Sequence, residues 1–169
     1  VDGDAQQDRL RRYSSDNREI LLDELNRLLA NGYIDRIVIT NKEQRDGIYR
    51  KYFGGTVNSA YAANGQALLS SLQGLNAVKT RYVFQNDSDI LYHNSSVRGV
   101  QSALNVLKAQ QALTLSLSIC HSNEQLFSFG HRVEVRSSFI DLQQFNQLLP
   151  LSNPTEQDSF SLPWHRALD

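Results

Sequence analysis

Residues 81–89 read RYVFQNDSD, a short apolar run followed by a polar segment with two aspartates, and this stretch decides how the fold is interpreted. The run Tyr82 to Phe84 is rich in the aromatic and β-branched residues that favour a strand. Asp87 and Asp89 follow the end of that strand. Carboxylates suit Mg²⁺ and Mn²⁺, which complete their coordination with phosphate oxygens and water. The stretch therefore predicts a site for a divalent cation and a nucleotide diphosphate at a strand end.

Helix and strand patterns alternate on both sides of this stretch. Apolar residues at helical spacing predict helices, and short apolar or alternating runs predict strands. The predicted helices cover 16–30, closed by Asn31-Gly32, then 43–53, closed by Gly54-Gly55, then 66–78, 97–107 and 141–149. The predicted strands cover 34–40, 56–57, 81–84, 113–120 and 127–135, and a loop is predicted for 151–163.

This alternation predicts an α/β fold with a mostly parallel sheet and helices on both faces, because parallel strands need crossover connections. The later strands predict an antiparallel addition to that sheet. In open α/β sheets, ligands bind beyond the carboxyl ends of the strands, which is where Asp87 and Asp89 would fall. We expect a single domain over residues 1–169, with residues 1–15 poorly structured.

Composition narrows the classes of partner and location. The chain has 169 residues and a net charge of −1, with its Lys and Arg scattered, which argues against a nucleic-acid partner. It has no apolar run near the ~20 residues of a transmembrane helix. The single Cys120 fits a buried thiol in a reducing, cytoplasmic compartment. The chain starts at Val1 and contains no Met, so we expect a fragment or a processed form.

The order of these parts resembles a known family over about residues 16–105. A helix, the Ile34 to Thr40 strand, a polar turn, a second helix and RYVFQNDSD are similar to the nucleotide-sugar glycosyltransferases of the GT-A fold, particularly the family 2-like group. The resemblance implies a Rossmann-like GT-A sheet in a truncated piece, with a nucleotide-binding half at 16–105 and an acceptor-side half at 106–169. It also implies a UDP- or GDP-linked sugar donor, an unknown acceptor, and Mn²⁺ or Mg²⁺ as cofactor.

The resemblance assigns roles to individual residues. Asp87 would contact the ribose or uracil side of the nucleotide and help to hold the metal, and Asp89 would ligate the metal between the phosphates. His165 would be a third metal ligand, since a late His serves this role in some enzymes of this fold. The alternatives are a polar turn with an Asx hydrogen bond for the two aspartates, and a surface His beside Trp164.

Further residues are candidates with equally plausible structural roles. The segment containing Thr40, Asn41 and Glu43 corresponds to the part of this fold that holds the base, although a helix-capping turn explains it as well. Asn64 would face the nucleotide, or cap a helix. An inverting enzyme also needs a carboxylate base. Asp158 is our candidate for that base; no pattern distinguishes it from the other acids, which are Glu134, Asp141 and Asp169.

Rival functions are tested by the residues that they require. A phosphohydrolase of the haloacid dehalogenase type also places D-x-D after a strand, but it needs a later Lys, and no Lys follows Lys108. An EF-hand starting at Asp87 would need Gly and Glu where Tyr92 and Arg98 stand. Two alternatives to the transferase remain. One is a degenerate or truncated transferase-like domain with a structural or interaction role, and the other, which the missing Lys disfavours, is the D-x-D phosphohydrolase.

Overall fold

The computed structural model of the protein describes residues 15–86, 96–116 and 137–168. The chain divides into two compact units, with the boundary between Gln44 and Arg45. The first unit contains helix α1, Ser15–Ala30, and a 3₁₀ helix, Lys42–Gln44. The second unit contains the remaining elements, in the order α2 (Arg45–Phe53), α3 (Leu69–Ala77), β1 (Tyr82–Asn86), α4 (Ser96–Gln110), β2 (Thr114–Ser116), β3 (Ser137–Asp141), α5 (Leu142–Gln147), β4 (Thr155–Glu156), β5 (Ser159–Phe160) and a second 3₁₀ helix, Trp164–Leu168.

Helix α1 ends where the sequence predicts. Gly32 adopts φ of +72°, a left-handed conformation that an L side chain rarely takes. The amide of Tyr33 donates to the carbonyl of Leu28 at 2.9 Å, and that of Gly32 donates to Leu29 at 3.1 Å. These two bonds form a Schellman motif, which satisfies carbonyls that the last helical turn leaves without partners.

The strand predicted for residues 34–40 is wrong. The structure assigns no strand to these residues, and the side chains of Val38 and Ile39 are 45% and 58% exposed. A run of β-branched residues forms a strand only when a neighbouring strand completes its hydrogen bonds. Within the described parts of the chain, the sheets contain no strand that pairs with this segment.

The sheet of the second unit is antiparallel, which corrects the predicted mostly parallel, Rossmann-like GT-A sheet. Its strand order is β1-β3-β2, with Val83 opposite Ile140 and Leu115 opposite Phe139. Both pairings are antiparallel, and no parallel pair occurs among the strands that the structure describes. Alternating helices and strands predicted crossovers, but β3 comes late in the chain and lies between the two earlier strands.

Other predicted elements differ in their bounds. The helices predicted at 43–53, 97–107 and 141–149 are confirmed as α2, α4 and α5 within a few residues, and the strand at 81–84 is confirmed as β1. The helix predicted at 66–78 begins only at Leu69, and residues 56–57 form no strand. The loop predicted at 151–163 contains the β4–β5 hairpin. Of the strand predicted at 113–120, β2 is observed; residues 117–120 and the strand predicted at 127–135 lie outside the described residues.

Two apolar clusters lie on opposite faces of the sheet. On one face, Ile140 packs with side chains of α2, α3 and α5 and with Phe160 and Trp164, forming the larger core. On the other face, Phe139 packs with Ala103 and Leu107 of α4. This alternation follows from the strand geometry, because successive side chains of β3 point to opposite sides. Helix α3 therefore lies on the Ile140 side of the sheet.

The β4–β5 turn offers a test of the local geometry. Gln157 and Asp158 both have positive φ, +45° and +63°, between the paired residues Glu156 and Ser159. A two-residue loop of this kind is a type I′ turn, which favours Asn followed by Gly. Replacing Gln157 by Asn together with Asp158 by Gly is expected to raise the free energy of unfolding by about 0.5–1 kcal/mol in urea titrations, because relief of the left-handed strain, about 1–2 kcal/mol, exceeds the entropy cost of a Gly, about 0.5–1 kcal/mol. A decrease would contradict the turn assignment, and Asp158→Ala serves as the control that gives no increase.

Candidate functional site

A cleft of about 440 Å³ lies between α3 and β1. Its helical wall consists of Ser70, Ser71, Gly74 and Leu75, continued by Val78, and its other wall is residues 83–86 of β1. Only a short connection joins α3 to β1, so the start of the helix and the end of the strand lie at the same end of the cleft. The volume falls within the range of about 300–1,000 Å³ that is typical of ligand pockets.

The cleft changes from apolar to polar along its length. Leu75, Val78 and Val83 line the end next to the helix–strand connection. The opposite end is lined by Ser70, Ser71, Gln85 and Asn86. None of these lining residues carries a formal charge, so the polar end presents hydroxyl and amide groups, which both donate and accept hydrogen bonds.

The first turn of α3 contributes backbone donors at this polar end. The residue before the helix, Leu68, makes no side-chain capping bond. The amides of Leu68 and Leu69 both donate to the carbonyl of Ala60, at 3.1 and 3.0 Å. The structure gives the amides of Ser70 and Ser71 no backbone acceptor within the described residues. Such first-turn amides are the helical groups available to an external acceptor.

A row of polar side chains crosses the sheet beneath this end of the cleft. Gln85 of β1 lies directly opposite Ser138 of β3, and Ser116 of β2 lies opposite Ser138 on the other side. The three side chains therefore share one face of the sheet, the face that also carries Val83 and Ile140. Ser138 is fully buried, and its Oγ has no hydrogen-bond partner among the residues that the structure describes. A buried polar atom without a partner is unusual in a folded protein.

The two aspartates of the D-x-D sequence, Asp87 and Asp89, lie outside the described residues. The described chain reaches Asn86, the last residue of β1 and part of the cleft wall, and Asp87 is the next residue in the sequence. The end of β1 that was predicted to carry a site is thus also an end of the cleft.

The predicted base-binding segment belongs to the first unit. Asn41 accepts a hydrogen bond from the amide of Glu43 through its Oδ1, at 2.8 Å. This contact lies at the start of the 3₁₀ helix, which is the position expected for a capping turn. Thr40 is half-buried and Glu43 is exposed. The role of Thr40, Asn41 and Glu43 in binding a base stays a prediction.

Asn64, Asp158 and His165 do not line the α3–β1 cleft. Asn64 lies in an exposed turn, where its Oδ1 accepts from the amide of Gln66 at 3.1 Å, and it does not cap α3. Asp158 is exposed in the β4–β5 turn. His165 is buried, with its ring edge-on to Trp164 at a centroid distance of 5.9 Å, and not a surface residue.

Asp141, one of the alternative acids for the base, has a structural role. It is buried, accepts from Arg81 at 2.8 Å, and caps α5 by accepting from the amides of Gln143 and Gln144. The hydrogen bonds from Arg81, supported by those from Gln144 and Gln143, lower the pKa of Asp141 from 3.8 to about 2. So acidic a carboxyl group is a poor proton acceptor near neutral pH.

The donor set for a divalent cation is incomplete in the described part of the chain. In residues 15–86, 96–116 and 137–168, no three His, Cys, Asp or Glu side chains come together as a metal site would require. The predicted Mn²⁺ or Mg²⁺ site therefore depends on Asp87 and Asp89.

Sequence reasoning missed the residues that form the cleft. Gln85 stands in the stretch RYVFQNDSD without a predicted role, and Ser70 and Ser71 fall within the predicted helix 66–78 without one. One signal was present, since polar Gln85 and Asn86 end an otherwise apolar strand.

The helices among the described residues are too short or too polar to span a membrane. Comparison of the chain with family models, with curated proteins and with solved structures finds no match.

Proposed function

We propose that the protein is a cytoplasmic, metal-dependent transferase that moves a sugar from a UDP- or GDP-linked donor to an acceptor, with Asp87 and Asp89 holding the metal. One observation carries the proposal: β1 ends in the wall of the α3–β1 cleft at Asn86, and the D-x-D sequence follows at once. The two carboxylates that we assign to the cation therefore follow Asn86 by one and three residues, and Asn86 lines a cleft large enough for a ligand.

The chemistry of sugar transfer requires both features. A nucleoside diphosphate leaves with growing negative charge, and a bound divalent cation supplies a Lewis acid that stabilises this charge. The sugar that is transferred is neutral and rich in hydroxyl groups. An uncharged cleft lined by Ser70, Ser71 and Gln85 suits such a group.

The antiparallel sheet removes one argument for this function. The rule that ligands bind beyond the carboxyl ends of strands applies to open parallel sheets, and β1 pairs with β3 in the antiparallel direction. The proposal therefore rests on the D-x-D sequence and the adjoining cleft, and not on the class of fold.

Thermal unfolding with Mn²⁺ and a nucleotide tests the proposal. UDP or GDP at about a hundred times its Kd, together with Mn²⁺, is expected to raise Tm by about 5–10 °C. Asp89→Ala is expected to abolish this rise, because it removes a ligand of the metal. Asp23→Ala, an exposed aspartate of α1, is the matched control and should keep it. A Tm that is unchanged by both nucleotides, with and without metal, would refute the proposal.

A non-catalytic interaction role is the second candidate. Large apolar side chains are strongly exposed in the first unit, among them Ile20 at 67%, Tyr33 at 75% and Ile39 at 58%. Exposed apolar surface of this kind often marks a site of contact with another molecule. This role predicts no release of UDP or GDP from sugar donors in the presence of Mn²⁺, whereas the transferase predicts slow donor hydrolysis even without its acceptor.

A further inference from the structure

We infer that the α3–β1 cleft binds the sugar of the donor, and that the side-chain amide of Gln85 pairs with a sugar hydroxyl there. The inference rests on the proposed function, because it names the part of the donor that this cleft receives. It adds a residue on β1, Gln85, that contacts the sugar and is separate from the D-x-D sequence.

The described lining of the cleft carries no charge, and this indicates which part of a sugar nucleotide it would bind. A diphosphate needs cations or many backbone donors. None of the side chains that line the cleft is charged, whereas Ser70, Ser71 and Gln85 each offer both a donor and an acceptor. Hydroxyl groups have the same dual character. The amides of Ser70 and Ser71 are only two backbone donors, and no side-chain cation among the described residues lines the cleft, so its polar end matches a sugar better than it matches a diphosphate.

The apolar end of the cleft supports the same choice. Leu75, Val78 and Val83 form a wall without polar side-chain atoms. A pyranose ring has a face of C–H groups, and covering that face removes apolar surface from water. A ligand with both hydroxyl groups and an apolar face thus meets complementary surfaces at the two ends of the cleft.

The position of Ser138 provides an independent observation. Its Oγ is fully buried and has no hydrogen-bond partner within the described ranges of the chain. It lies on the same sheet face as Gln85, which is the residue directly opposite it. Directly opposed side chains on one face have Cβ atoms about 4.5–5.5 Å apart. When one polar group of the Gln85 side-chain amide bonds to a sugar hydroxyl, the Oγ of Ser138 is placed to form a hydrogen bond with the other polar group of that amide. Ser138 is therefore a positioning residue that acts through Gln85.

Calorimetric binding measurements in the presence of Mn²⁺ test this inference. The probes are UDP and GDP, each compared with its sugar conjugates UDP-glucose, UDP-N-acetylglucosamine and GDP-mannose. The wild type is expected to prefer one conjugate over its free nucleotide. Gln85→Ala is expected to reduce that preference about tenfold while leaving the affinity for the free nucleotide unchanged. Ser138→Ala should reduce it less, and Gln147→Ala, an exposed glutamine of α5, should not.

The outcomes separate this inference from the proposed function. If Asp89→Ala weakens every nucleotide but Gln85→Ala leaves the sugar preference intact, the cleft does not read the sugar and only the proposed function survives. If the wild type binds no nucleotide, the proposed function fails. Saturation-transfer NMR with glucose, N-acetylglucosamine and mannose then tests whether the cleft binds a sugar without the nucleotide: a signal that Gln85→Ala removes supports sugar binding by the cleft, and no signal overturns it. Circular dichroism checks that each variant is folded.

Discussion

Replacing Trp164 with alanine is expected to lower the free energy of unfolding by about 3–5 kcal/mol, the range for truncating a buried Trp or Phe. The Trp164 side chain is 1% exposed and belongs to the larger core of the second unit. Its ring meets that of Phe145 edge to face, with a centroid distance of 5.5 Å. Such contacts add to the free energy of burial. The free energy of unfolding of a typical domain is only about 5–15 kcal/mol, so this one substitution is expected to remove much of it.

Urea titrations followed by circular dichroism measure this loss, because the variant lacks the only Trp of the chain and its fluorescence cannot be compared. Leu162→Ala is the matched control, since Leu162 lies two residues away and is 37% exposed. We expect the control to cost less than about 1 kcal/mol. Equal losses for the two variants would show that the C-terminal 3₁₀ helix is not part of the core.

The helices were predictable because their signals are local. In α1, apolar residues at helical spacing and the pair Asn31-Gly32 determine both the type of element and its end, and the structure confirms both. Gly54, with φ of +71°, follows the last residue of α2, and its amide donates to the carbonyl of Arg50 at 3.0 Å. Each of these features depends on residues within a few positions of one another, so no knowledge of the tertiary structure is needed.

The sheet was not predictable because strand pairing depends on distant residues. The β1 strand was recognised from Tyr82 to Phe84, but its partner is β3, which begins only at Ser137. The stretch from Ile37 to Ile39 has a stronger β-branched pattern, yet it forms no strand. Strand propensity reports how well a residue fits a pleated surface, and it does not specify the neighbour or its direction.

For the candidate site, residue patterns predicted a position but not the residues that line the cleft. The sequence placed a site at the end of β1, and the structure has a cleft there whose wall includes Asn86. The opposite wall comes from α3, and nothing in the sequence of Ser70 and Ser71 indicates that they face β1. Asp158 was chosen by residue type alone, and His165 by its residue type and its late position in the chain, and neither lines the cleft. Residue chemistry suggests candidates, whereas tertiary packing decides which of them meet.

Replacing Asp141 with alanine is expected to lower the free energy of unfolding by about 2–4 kcal/mol. The carboxylate caps α5, a role worth about 1 kcal/mol, and accepts charge-assisted hydrogen bonds worth about 1.5–3 kcal/mol. Asp141→Asn keeps an oxygen that can cap the helix but removes the negative charge opposite Arg81. It should therefore be less destabilising than Asp141→Ala. Urea titrations at pH 7 compare the two, and equal stability of wild type and both variants would contradict the role of this ion pair.

The contribution of Asp141 is expected to depend on pH in one direction. Hydrogen bonds from Arg81 lower the pKa of this carboxyl from 3.8 to about 2 in the folded protein. Because the unfolded chain then binds a proton more readily than the folded one, the carboxylate stabilises the fold fully above pH 3.8, and this contribution disappears as pH falls towards 2. A shift of this size corresponds to about 2 kcal/mol. The difference in stability between wild type and Asp141→Asn should shrink by that amount between pH 5 and pH 2 in urea titrations, and a difference that stays constant over this range would show that the charge of Asp141 does not stabilise the folded state.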